Sequence, residues 1–190
     1  MLKLFYTTTK GQDVVQSRAD KSLGGYRSAS LFKNDDFDNT FGEISNYTLK
    51  NADSQNQYIG LILLNDSSAA VSNINVWFEY PTSCYSKLAI AAVDLSLDSD
   101  SKYYMENVLS INSSPVYATF YEANGEANKR NIGNLAAHAM VGIWLKRTVL
   151  SEVADTDIAN EIVDDPDNDH RVKFIEPGKV DTIEMKMSYT

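Results

Sequence analysis

Tyr58-Ile-Gly-Leu-Ile-Leu-Leu64 is the stretch on which the fold turns. It is apolar without interruption, and Asn65-Asp-Ser-Ser68 stops it at once. A stable helix needs more length, and a half-buried strand would alternate. A strand covered on both faces satisfies both conditions. The neighbouring segment differs. Ile74, Val76, Phe78 and Tyr80 alternate with Asn73, Asn75, Trp77 and Glu79, and Pro81 ends the run. That is a strand with one buried face.

Further strands are expected outward from this pair. Lys87–Val93 is a further strand candidate; its alanines leave a helix possible, but Asp94 follows too soon for a stable one. Val116–Tyr121 is rich in β-formers, and Asn124-Gly125 is a turn signal after it. Ala139–Val149 is the longest strand candidate. Ile183, Met185, Met187 and Tyr189 alternate near the end, and Leu2, Leu4 and Tyr6 alternate near the start. Residues 9–30 are polar, carry Gly24-Gly25 and are expected to be loop, and 34–39 is a turn-rich stretch. Residues 40–56 assign no element. The one helical pattern is Ser151–Val163, with Ser151 as its N-cap. Short strands joined by turns indicate an all-β sandwich or barrel. The chain is read as one domain over residues 1–190. Its core spans about 22–149, an acidic helix and loop insertion spans about 151–170, and C-terminal strands span 171–190.

Charge narrows the functional classes. The formal net charge is −9, which disfavours binding of nucleic acid over a broad face. Lys129-Arg130 and Lys146-Arg147 are adjacent basic pairs, expected to be solvated. Cys84 is the only cysteine, so internal disulfides and multi-cysteine metal sites are excluded; it is expected to be an incidental loop thiol. No apolar run approaches the ~20 residues of a membrane span. Met1-Leu-Lys-Leu-Phe-Tyr6 is far short of a leader's apolar region, so synthesis in a cytoplasm is expected.

No constellation points to catalysis. The two histidines, His138 and His170, lack a Gly-x-Ser-x-Gly elbow, and no phosphate-binding glycine loop occurs. His138 is expected at a turn or strand edge. No catalytic residue and no cofactor are assigned. The sharpest local spacing is Asp165, Asp167 and Asp169 followed by Val172 and Glu176, at positions 1, 3, 5, 8 and 12 of a Ca²⁺-binding loop. Against it, His170 stands where a glycine makes the sharp turn, and Pro177-Gly178 leaves no room for an exiting helix. A solvated acidic loop is the expectation. Trp77, Tyr80, Tyr103, Tyr104, Tyr117 and Tyr121 are an alternative candidate set, a sugar-stacking face on a binding module for host-surface carbohydrate.

Several pieces in order resemble a known group of proteins. They are Ser22-Leu-Gly-Gly25, Gln57–Asp66, Val71–Phe78, Ser86–Asp94, Ile132–Leu135 and Gly142-Ile-Trp-Leu-Lys-Arg-Thr-Val149. Together they resemble the small virion structural proteins of tailed bacteriophages, over roughly residues 22–149. The resemblance implies an immunoglobulin-like β-sandwich and a place in the head, neck or tail of the particle. It also implies assembly with copies of itself and with other virion proteins. Residues 1–11 and 180–190 are the arms expected to bridge neighbours, and Trp144 is expected in the core.

Overall fold

The computed structural model describes residues 1–33, 41, 54–79, 86–150 and 184–190. Eleven strands are found among them: β1 (Leu2–Thr8), β2 (Gly25–Leu31), β3 (Ser54–Asn65), β4 (Val71–Glu79), β5 (Ser86–Val93), β6 (Ser96–Leu97), β7 (Tyr103–Met105), β8 (Tyr121–Glu122), β9 (Arg130–Leu135), β10 (Met140–Leu150) and β11 (Glu184–Ser188). They form two curled antiparallel sheets. The larger has the order β6-β7-β2-β1-β3-β10-β5-β8, and the smaller has the order β11-β4-β9. The chain is therefore all-β and sandwich-like, as its strand pattern implies, with the strands divided eight and three.

The side-chain parity of the central strands explains the opening stretch. Ile59, Leu61 and Leu63 of β3 point between the sheets. There they meet Ile143 and Leu145 of β10, Ile90 of β5, and Ile74, Val76 and Phe78 of β4. Tyr58 and Ile62 point the other way, into a second core with Trp144, Ala91, Met105 and Val108. Leu23, Leu95, Ala118 and Phe120 pack against that second core. The segment that follows β5 thus folds over the outer face of the large sheet. From Tyr58 to Leu64 β3 is apolar at every position because both of its faces are covered there.

Several expectations are corrected. Gly25–Leu31 lies within the stretch expected to be loop, yet it is strand β2. β2 is held by its ladder to β1 and by buried Ser28, whose hydroxyl donates to the Gln16 carbonyl, and an apolar stripe plays no part. Val116–Phe120 is not a strand, and only Tyr121–Glu122 pairs, with β5. Its apolar residues serve as cover: Ala118 and Phe120 pack on the second core. β3 has 12 residues and β10 has 11, so β10 is not the longest. β3 also begins inside the unassigned stretch 40–56.

The arms need revision as well. Leu2–Thr8 pairs with β2 on one side and β3 on the other, so this strand has no free edge for a neighbour. The sheet core therefore begins well before residue 22. At the other end β11 pairs with β4, Met185 is buried in the inter-sheet core, and Thr190 exchanges two backbone hydrogen bonds with Ser72. Both terminal segments are part of the domain's own sheets.

Strand β4 carries an irregularity with a clear purpose. Val71 and Ile74 both face the core although they stand three positions apart, which breaks period two. The register with β9 shifts between them, and Asn73 sits at φ 52°. Asn is among the few non-glycine residues that enter this left-handed region readily. The bulge restores inward facing on both sides of it.

Candidate interaction surface

Two of the quoted sequence pieces meet at one buried crossing. The chain at Ser22–Gly25 passes over β3 at Gly60, beneath the backbone of Glu106. Gly24 has φ +91°, and a Cβ there would stand 1.8 Å from the Glu106 carbonyl oxygen. A Cβ on Gly60 would come within 2.9 Å of the Gly24 nitrogen. Neither position admits a side chain. Around the crossing the polar groups are accounted for one by one. The Thr7 hydroxyl donates to the Gly60 carbonyl at 3.0 Å and accepts the Gly24 N–H at 3.0 Å. The Ser22 hydroxyl donates to the same carbonyl at 2.6 Å and accepts the Thr7 N–H at 2.8 Å. With both protons committed, the 3.1 Å contact between the hydroxyls is proximity rather than a further hydrogen bond. Thr7 and Ser22 are fully buried, so this cluster is structural.

Above the crossing, residues 106–117 form a loop fixed at several points. The Glu106 carboxylate closes its neck by accepting the Val116 N–H at 2.8 and 3.0 Å and the Tyr117 N–H at 3.1 Å. The Val108 N–H donates to the Leu23 carbonyl at 2.9 Å, and the Ile111 carbonyl accepts the Tyr58 N–H at 2.6 Å. Val108 and Pro115 are buried beneath it. Between these anchors Leu109, Val116 and Tyr117 stand out in solvent, 97%, 77% and 83% exposed. Sequence reasoning missed this loop as a unit. A signal was present: residues 107–121 contain no charged side chain, in a chain that is 23% charged.

A second apolar pair lies on the end hairpin of the large sheet. Leu97 and Tyr103 are directly opposed across β6 and β7, and both are exposed. The Asp98 carboxylate fixes the turn between those strands. It accepts the Asp100 N–H at 2.9 Å, the Lys102 N–H at 2.8 Å and the Tyr26 hydroxyl at 2.8 Å. The Lys102 amide and the Tyr26 hydroxyl, with a smaller contribution from the Asp100 amide, hold its carboxyl below the ordinary aspartate range against the opposing effect of desolvation. The same bond raises the Tyr26 hydroxyl above its usual value.

Five of the six aromatic residues of the candidate sugar face lie among the described residues. Trp77 is buried and its Nε1 donates to Glu79 at 3.2 Å. Tyr103 and Tyr104 lie on β7 and Tyr121 on β8, near opposite ends of the large sheet's strand order. Tyr104 packs with Tyr26 at 5.9 Å between rings, and Tyr121 lies under the Arg130 guanidinium at 3.9 Å. Buried Trp77, and Tyr121 on β8, thus lie apart from Tyr103 and Tyr104; Tyr80 lies outside the described residues.

Other candidates fall as follows. His138 is exposed in the turn before β10, at φ 60°, matching its expected place. Trp144 is fully buried, in the outer of the two cores. The Ca²⁺-loop candidates Asp165, Asp167, Asp169 and Glu176, together with His170, Cys84 and the expected helix Ser151–Val163, lie outside the described residues. Among the described residues no group of three His, Cys, Asp or Glu side chains is placed to hold a metal ion. No helix among them is long and apolar enough to cross a membrane.

Comparison with family models, with curated proteins and with solved structures finds no match to this chain.

Proposed function

We propose that this chain is a structural component of a tailed-bacteriophage particle, an immunoglobulin-like sandwich that assembles with copies of itself and with other virion proteins. The place proposed is a neck or tail ring or the head surface. The observation that carries the reading is the loop 106–117. A loop held by a carboxylate latch and two backbone anchors, with three large apolar side chains in water, is pre-organised for contact with another protein surface. The ordered sequence pieces that resemble virion proteins add support. They are the strands and crossings beneath that loop, so the likeness concerns the scaffold that holds it.

The test is to find the chain in purified particles by mass spectrometry and to count it against the major capsid protein. Hundreds of copies support head decoration, and about a dozen support a ring. Particles that lack the chain altogether would refute the proposal.

A further inference from the structure

We infer that Asn124-Gly125 is a deamidation site gated by strand β4. The Asn124 amide is kept while its bridge to Phe78 holds, and it is lost to attack by the Gly125 nitrogen when that bridge opens. The inference is independent of the assembly reading above.

The sequence supplies the reactants. Asn124-Gly125 is the only Asn-Gly pair in the chain. The glycine nitrogen is the nucleophile and Asn124 Cγ the electrophile, and glycine has no side chain to obstruct their approach. Solvent hydroxide takes the Gly125 amide proton, and the nitrogen forms a bond to Cγ. The Cγ–Nδ2 bond breaks, and the leaving nitrogen takes a proton from water and departs as ammonia. A cyclic imide is left. Water adds to either of its carbonyls and opens the ring to aspartate or isoaspartate. Water is consumed, ammonia is released, and nothing is oxidised or reduced.

The fold opposes each step. The Phe78 N–H donates to the Ala123 carbonyl at 2.8 Å, and the Phe78 carbonyl accepts the Gly125 N–H at 2.8 Å. These two bonds form a parallel bridge centred on Asn124, and Phe78 and Ala123 are fully buried. The proton that hydroxide must remove is therefore engaged, and its loss would set an anion against a carbonyl oxygen. The Asn124 carbonyl accepts the Asn128 Nδ2–H at 3.1 Å, so the same peptide plane is pinned at both polar atoms. Turning that plane to carry the nitrogen toward Cγ works against both bonds. Asn124 Oδ1 is buried, and no donor among the described residues reaches it, so charge developing there during attack has no stabilising partner.

Opening the bridge has a lasting result. Tyr121–Glu122 pairs with β5 in the large sheet and Asn124 bridges β4 in the small one, so residues 121–125 tie the two sheets together. Isoaspartate adds one methylene to the main chain. The Ala123 carbonyl and the Gly125 N–H then lose the spacing that lets both reach Phe78. An opened tie that reacts does not close again.

Peptide mapping of the full-length protein by mass spectrometry tests this. Gain at Asn124 of the mass difference between water and ammonia is followed in native buffer and in unfolding urea. A synthetic peptide of residues 119–130 is the free reference, and Asn124→Gln fixes the assignment. The unfolded chain should match the peptide, and the native chain should react at least about tenfold more slowly, because reaction follows the open population. Asn128→Ala, an exposed change, should speed the native reaction several-fold and leave the unfolded one unaltered. In the isoaspartate form the Phe78 amide should lose its protection from hydrogen exchange. The gating is overturned if the native chain reacts as fast as the peptide, or if Asn128→Ala leaves the native rate unchanged. Retained protection of Phe78 in the isoaspartate form would overturn the one-way opening.

Discussion

Replacing Gly24 by alanine probes the crossing on which both cores depend. Two penalties are separable. At φ +91° an L side chain is strained, and positions of this kind cost about 1–3 kcal/mol. The new Cβ would also stand 1.8 Å from the Glu106 oxygen and 2.8 Å from its carbonyl carbon. Ordinary contact begins near 3.4 Å, so the backbone at Glu106 must retreat by about 1.6 Å. That motion drags Met105 and Val108 out of the second core. Overpacking of this kind adds about 1–3 kcal/mol. Gly125→Ala isolates the first penalty, because its φ is +70° and nothing lies within 4 Å of its Cβ. Gly24→Ala should lose about 4 kcal/mol and Gly125→Ala about 2. In urea, with a slope near 2 kcal/mol/M, the midpoints should fall by about 2 M and 1 M. Equal midpoints for the two variants would show that the chain does not cross Gly60 beneath Glu106 as described.

Three further outcomes are expected. Trp144→Ala should destabilise by about 3–5 kcal/mol by equilibrium denaturation. Trp144→Phe should lose less than about 1.5, because the buried Nε1–H has no hydrogen-bond partner among the described residues and its removal relieves that burden. Asp98 titrates below the ordinary aspartate value of 3.8, so its contribution is present above that value and is lost as pH falls through the depressed one. NMR titration should place its midpoint below those of freely exposed aspartates, and Tyr26→Phe should move it upward. Calorimetric titration with Ca²⁺ should show no saturable site tighter than roughly millimolar, and a micromolar site abolished by Glu176→Gln would establish the acidic loop as a ligand.

The sequence is most legible where one strand meets two cores. Continuous apolar character in Tyr58–Leu64 and alternation from Ile74 to Phe78 report how many faces each strand buries, which local pattern can encode. Gly25–Leu31 was illegible because backbone pairing with β1 holds it, and a ladder leaves no trace in polarity. Val116–Phe120 misled for the opposite reason. Its Val, Tyr and Phe have the composition of a strand, but Phe120 covers a sheet while Val116 and Tyr117 stand in solvent, and Pro115 and the Glu106 latch shape the backbone there. Trp144 was placeable in a core by its apolar neighbours. Which core depended on parity against β3, knowable only once Trp144 and Gly60 stand opposite each other. The loop 106–117 was hidden because loops have no period. Its latch joins residues ten apart, and only the uncharged run 107–121 hinted at it.

The β3–β10 ladder also sets the timing of folding. Asn65 and Met140 end and begin the two longest strands, and roughly 75 residues separate them. On a ribosome adding about 5–20 residues per second, β3 emerges roughly 4–15 s before its partner. During that interval the only ladder partner of β3 among the described strands already made is β1. Its opposite edge, which β10 later covers, stays open to other chains. Long-range antiparallel pairing of this kind is slow even in the finished chain. A nascent chain stalled before Met140 thus presents a sticky, half-dressed strand. Chaperone capture of the nascent chain, and loss of solubility on truncation ahead of β10, are the behaviours this topology dictates.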